Sequence, residues 1–148
     1  MKPQLGDTIL NRYTLVSSLR EEPGIQAWKA NDRVLAKDCQ LFIITNRSAF
    51  AAIDELAGRM AATRPDRVIP VLKYRMESDV LLIVMPVDSG QCLTDYMVDT
   101  AKPLSYSAIR SIIGECADVL REVIADTPSG IVITTDTVRV TTSGVQIA

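Results

Sequence analysis

Residues 27–45 read AWKANDRVLAKDCQLFIIT. Apolar and β-branched residues gather at the two ends of this stretch, within 26–31 and 39–45, and the charge lies between them, in 32–38. The pattern predicts two strands and their connection, half of an antiparallel sheet. The middle of the second strand, Gln40-Leu41-Phe42-Ile43, carries no charge.

Working outward, residues 12–19 (RYTLVSSL) alternate, with Tyr13, Leu15, Ser17 and Leu19 on one face, and predict a strand after a polar lead-in. The Pro23-Gly24 pair makes 20–24 the turn into the next strand. After residue 45 the period changes. Phe50, Ile53, Ala57 and Met60 recur at helical spacing with Leu56 beside them, predicting an amphipathic helix laid on the sheet. Asn46 or Ser48 is placed to cap it, and Pro65-Asp66 ends it. Residues 68–75 and 79–87 supply a fourth and a fifth strand. The second is apolar at every position from 80 to 85, as suits a strand covered on both faces. Residues 88–90 break the pattern, and 93–97 fit a short helix. Ser105 then caps a long helix with a broad stripe: Ile109, Ile112, Ile113, Cys116, Val119, Leu120 and Val123. Short β runs at 131–133, 138–141 and 145–147 finish the chain, with Ser143-Gly144 as a turn.

Composition narrows the function classes. With 148 residues, 47% apolar and 23% charged, the chain is one domain's worth of soluble globular protein. A net charge of −2 leaves no basic surplus for a phosphate backbone, so nucleic acid is not an expected partner. The three cysteines lack any CxxC spacing, which favours buried free thiols in a reducing compartment over disulfides or zinc. No histidine is present, which removes His-based acid–base chemistry and the common serine triad. The apolar run 80–87 is too short to span a bilayer, and the N-terminus lacks a signal pattern. The expectation is a cytoplasmic chain that does not itself insert in a membrane, either free or as the cytosolic part of a larger membrane protein.

The order of elements, together with Arg12-Tyr13-Thr14-Leu15, Trp28-Lys29-Ala30-Asn31-Asp32, Arg64-Pro65-Asp66-Arg67-Val68-Ile69-Pro70-Val71-Leu72, Leu82-Ile83-Val84-Met85, Gly90 and Leu93, resembles bacterial Ser/Thr protein kinases. The resemblance implies an α+β fold. Residues 1–87 would form a kinase-like N-lobe, a five-stranded antiparallel sheet with one helix. Residues 88–148 would form a hinge and a truncated, mainly helical C-lobe.

The same resemblance implies that the catalytic positions are degenerate. The three glycine places of the phosphate loop fall on Arg20, Glu22 and Ile25, with Glu21 adding a second carboxylate that would repel a triphosphate. The phosphate-pairing lysine place is Phe42, so Glu55, at the place of its helix partner, has no lysine to meet. The catalytic aspartate place falls near Val132 and the metal-binding asparagine place on Thr137. Asp136 is one residue away from serving as the base. The hinge would be Met85, Pro86, Val87 and Asp88. Gln40 stands where a small alanine forms the adenine ceiling, and Phe42, Gln40 and Leu19 are expected to fill the old pocket as core. No metal site and no cofactor are implied.

The function this implies is a non-catalytic, pseudokinase-type interaction module in kinase signalling or control of cell-wall synthesis, similar to the actinobacterial pseudokinase domain attached to the lipid II flippase. Its implied partners are a forkhead-associated domain or a Ser/Thr kinase, with Thr134, Thr135, Thr137, Thr141 and Thr142 as phosphorylation candidates. The alternative is a domain that senses nucleotide without catalysis. The long helix is wider in its apolar face than one packing partner needs, so Ile109, Ile112, Cys116, Val119 and Val123 are expected in a homodimer or partner interface.

Overall fold

The computed structural model describes residues 2–63, 67–77, 79–87, 91–99, 104–126, 137–141 and 144–147. They form two compact units, one of residues 1–62 with 70–87 and one of residues 63–69 with 88–148. Residues 63–69, which the sequence assigns to the first half, thus go with the second.

The first unit is a six-stranded antiparallel sheet in the order β1-β2-β3-β4-β6-β5. Its strands are β1 (Thr8–Ile9), β2 (Tyr13–Glu22), β3 (Ile25–Asp32), β4 (Lys37–Ile44), β5 (Lys73–Glu77) and β6 (Val80–Pro86). The sixth strand is β1, inside the stretch expected as lead-in. It turns back into β2 through Leu10 and Asn11, at φ 52° and 54°. The left-handed region is unfavourable for a leucine, so composition gave no signal of this reversal.

In β4 the two-residue period puts Cys39, Leu41 and Ile43 on one face. There they form the core with Tyr13, Leu15, Trp28, Ala30, Leu82 and Val84. Gln40, Phe42 and Ile44 point to the other face. The alternation expected along β2 holds only to Leu15. Register shifts between Leu15 and Ser17 and between Ser18 and Arg20 re-aim the strand, and Leu19 is 51% exposed. Leu19 therefore fills no pocket. The fourth predicted strand is also shorter than expected. Pro70 has no N–H to give a ladder, and the strand begins only after Leu72 donates to the Val84 carbonyl at 2.8 Å. Val68 instead forms a parallel bridge to Ile147, and the Ile69 amide donates to the Ile147 carbonyl at 2.8 Å within the second unit.

The connection between β3 and β4 is pinned by Asp32, the buried charged residue of this sheet, at 4% exposure. Arg12 grips it with Nε to Oδ1 at 2.9 Å and Nη2 to Oδ2 at 2.7 Å. The amides of Val34 and Leu35 donate to Oδ1 at 3.0 and 3.3 Å. The Arg12 guanidinium, with these amides, holds the carboxyl down at about 2 against the cost of its burial.

A single 3₁₀ turn (Arg47–Ala49) leads into α1 (Phe50–Thr63). Asn46 makes no side-chain cap bond to the helix, and Ser48 Oγ donates to Asn46 Oδ1 at 2.7 Å instead. Phe50, Ala57 and Met60 are buried, as their spacing predicts. Gly58 brings α1 close to β5, and a Cβ there would lie 3.1 Å from the Tyr74 hydroxyl.

The second unit holds α2 (Leu93–Asp99), α3 (Tyr106–Asp126) and a three-stranded sheet, β7 (Gln91–Cys92), β8 (Val138–Thr141) and β9 (Gly144–Ile147), in the order β7-β8-β9. Two-residue β7 has no sequence signal. Ser105 Oγ caps α3 as predicted, accepting from the Ala108 amide at 3.1 Å. The helix packs on β9, with Cys116, Val119 and Val123 buried. All three cysteines are free thiols, Cys39 and Cys116 buried and Cys92 half-buried. Burial drives the Cys39 thiol up to about 11. The architecture is α+β.

Candidate functional site

The face of the first sheet that carries Gln40 and Phe42 is set by the register. Arg20, Ala27, Phe42, Ile83 and Tyr74 lie in one row across β2, β3, β4, β6 and β5. Phe42 is half-buried between Ala27 and Ile83, on the side away from the core cluster. It is not the core residue expected, because its strand neighbours Leu41 and Ile43 take the core side. The next row holds Lys29, Gln40 and Met85. Lys29 Nζ lies 3.4 Å from Asp38, whose carboxyl is held low by Asn31 and by Lys29.

Gln40 reaches along the sheet, and its Nε2 donates to the Pro86 carbonyl at 3.1 Å. The Pro86 carbonyl, in the stretch expected as the hinge, thus accepts a hydrogen bond from the chain itself. Met85 and Pro86 are half-buried and Val87 is 41% exposed, while Asp88 is outside the described residues. The composition gave no warning of this bond.

The turn between β2 and β3 is fastened down. Gly24, at φ 79°, offers its carbonyl to the amides of Thr45 at 2.9 Å and Asn46 at 3.3 Å. A Cβ on Gly24 would sit 2.9 Å from the Asn46 Cβ, so only glycine permits this approach. The expected pair of repelling carboxylates is softened. Glu22 accepts from Arg20 Nε at 2.7 Å, and Glu21 is ion-paired with Lys2. Ile25 is half-buried at the start of β3.

Glu55 is exposed on α1, and its Oε1 accepts from Arg59 Nη2 one turn on, at 2.6 Å. Thr137 is half-buried before β8. Val132, Thr134, Thr135, Asp136 and Thr142 lie outside the described residues. Among the described residues, no group of three or more Cys, Asp or Glu side chains is placed to hold a metal ion. What the face offers is an amide, an aromatic ring and aliphatic surface, with its charges neutralised by neighbours.

In the second unit, the stripe expected at an interface divides in two. Cys116, Val119 and Val123 are buried within the structure, Val119 and Val123 at 1% exposure, and present no surface to a partner. Ile109 is 42% exposed and Ile113 63% exposed. With Ile112, Leu93, Met97 and Leu104 they line an open apolar groove of about 440 Å³ between α2 and α3.

No family model matches the sequence, and no curated protein matches it. Solved structures do. The kinase domain of Mycobacterium tuberculosis PknI superposes with a TM-score of 0.78 at 15% identity, over 99% of this chain and 60% of that one. A cysteine-to-alanine mutant of the same domain gives a TM-score of 0.80 at 15% identity, over 99% and 62%. PpkA in its apo form gives 0.77 at 12% identity, over 99% and 60%. This chain therefore spans about three fifths of the length of the kinase domains it resembles. Its sheet with one helix and its partial helical second unit have the protein kinase-like fold.

Proposed function

We propose that the chain is a non-catalytic, pseudokinase-type module that binds a protein partner and carries out no phosphoryl transfer. The observation that carries this reading is Phe42. On the strand where a kinase presents its phosphate-pairing lysine, an uncharged ring sits between Ala27 and Ile83. Three further contacts support it: Glu55 is engaged by Arg59, the Pro86 carbonyl by Gln40, and the β2–β3 turn by Thr45 and Asn46. The partner in this reading is a forkhead-associated domain or a Ser/Thr kinase, or a second copy of the chain, in kinase signalling or control of cell-wall synthesis in the cytoplasm. The open end of α3 is the surface it offers. Among the described residues no helix is long and apolar enough to cross a membrane.

Millimolar ATP with magnesium tests the reading. A ligand of the native state must raise the Tm. The expected outcome is an unchanged Tm and no ADP release. A saturable rise without turnover would select the nucleotide-sensing alternative, and turnover would overturn both.

A further inference from the structure

On the core side of the first sheet, at its β5 edge, the alternation breaks a rule the rest of the sheet obeys. Lys73 and Arg75 are the register partners of Val84 and Leu82, so strand geometry sends two cations to the face that elsewhere holds the apolar core. They line a cavity of about 220 Å³ together with Arg12, Tyr13, Leu82 and Val84. Three cationic residues therefore line one small concavity. Two carboxylates answer them, and both are committed: Asp32 to Arg12, and Glu77 to Arg75 at 2.6 Å. Among the described residues Lys73 has no carboxylate partner. Tyr13, 3% exposed, forms part of the wall, with the Arg12 guanidinium over its ring at 5.1 Å. Leu10, held at φ 52°, closes the rim, so a strained residue shapes the cavity wall.

We propose that this cavity is a binding site for a small tetrahedral oxyanion, a phosphoryl group either free or at the end of a small phosphorylated molecule. Arg12 spends Nε and one Nη2 bond on Asp32 and keeps further N–H donors. Lys73 supplies the uncompensated charge, and Arg75 a second guanidinium fork. The cavity of about 220 Å³ has room for a phosphoryl group carrying a small substituent. The register places Lys73 and Arg75 on the opposite face of the sheet from Phe42 and Gln40, and the cavity takes in Tyr74 as well at the β5 edge.

The test is thermal unfolding and ³¹P line broadening with inorganic phosphate and, in parallel, free O-phosphothreonine. Both are used at millimolar concentration against chloride at equal ionic strength, below the range where salt exclusion acts on any protein. The expected result is a saturable rise in Tm, about 3–6 °C at ten times Kd. It should be lost in Lys73→Ala and in Arg75→Ala, both exposed positions whose replacement leaves the core intact, and retained in Lys29→Ala on the other face. A response to phosphate alone identifies a free-ion site, and a response to both probes identifies a site for phosphorylated small molecules. The absence of any saturable response, or an equal response in Lys73→Ala, would overturn the proposal. In that case the two cations serve only to keep the β5 edge from pairing with other chains.

Discussion

At Asp32 the donors Nε and Nη2 of Arg12 and the amides of Val34 and Leu35 converge on one carboxylate. Its pKa falls from an ordinary 3.8 to about 2 in the folded chain. A lowered folded-state pKa means the native state prefers the ionised form. Its contribution is fully present above about pH 4 and fades as the pH drops from 4 toward 2, on the order of 2 kcal/mol in all. Urea midpoints measured across that range should fall with acid, and Asp32→Asn should flatten the slope while lowering stability at pH 7 by about 2–4 kcal/mol. An unaltered slope would place the acid sensitivity elsewhere. Phe42 gives a gentler prediction. Its ring is half-buried, so in Phe42→Lys the ammonium can reach water along its own stem. The cost should be about 1 kcal/mol, with no gain of ATP turnover, since Glu55 is already held by Arg59. Denaturant titration with a kinase assay measures both. The resemblance implied that Phe42 stands at a lysine place. It did not show which way the ring points, because that depends on register against β3 and β6.

Individual elements separate close approaches that can yield from those that cannot. Gly24→Ala meets backbone-anchored Asn46 atoms at 2.9 Å with φ at 79°, so the turn should lose about 1–3 kcal/mol. Gly58→Ala on α1 meets only the end of the Tyr74 side chain, which is 39% exposed and free to swing outward. The gain in helix propensity should then prevail, by about 0.5 kcal/mol. Midpoints moving in the same direction would contradict this account. For α3, Val119→Asp should unfold the second unit, whereas Ile113→Asp should change stability by less than about 0.5 kcal/mol. Circular dichroism melts of the two variants distinguish these outcomes. The element types were readable because long periodic segments bury one face. Their edges were not. Pro70 cuts β5 short, two bulges turn Leu19 outward, and β1 and β7 are two residues long, below any period. The width of the α3 stripe was visible, but which end is covered depends on β9, distant in sequence.

At the scale of the whole molecule, the resemblance rested on a handful of separated segments in the right order, and superposition over 99% of the chain at 15% identity shows why that sufficed. The fold tolerates nearly complete replacement of residues provided strand alternation and helix period survive. The Gln40–Pro86 bond and the cations under β5 were invisible for the opposite reason. The first joins residues 46 positions apart, and the second brings Arg12 together with Lys73 and Arg75 from a distant strand. The two units also differ in a way that can be timed. Cys39 is buried in the first and Cys116 in the second, while Cys92 is half-exposed. A thiol reagent near neutral pH should consume Cys92 promptly and reach the other two only when their own unit opens. Peptide-resolved labelling would then give two clocks in one molecule. They will tick together if the chain unfolds as a single cooperative body, and apart if each half breathes at its own rate.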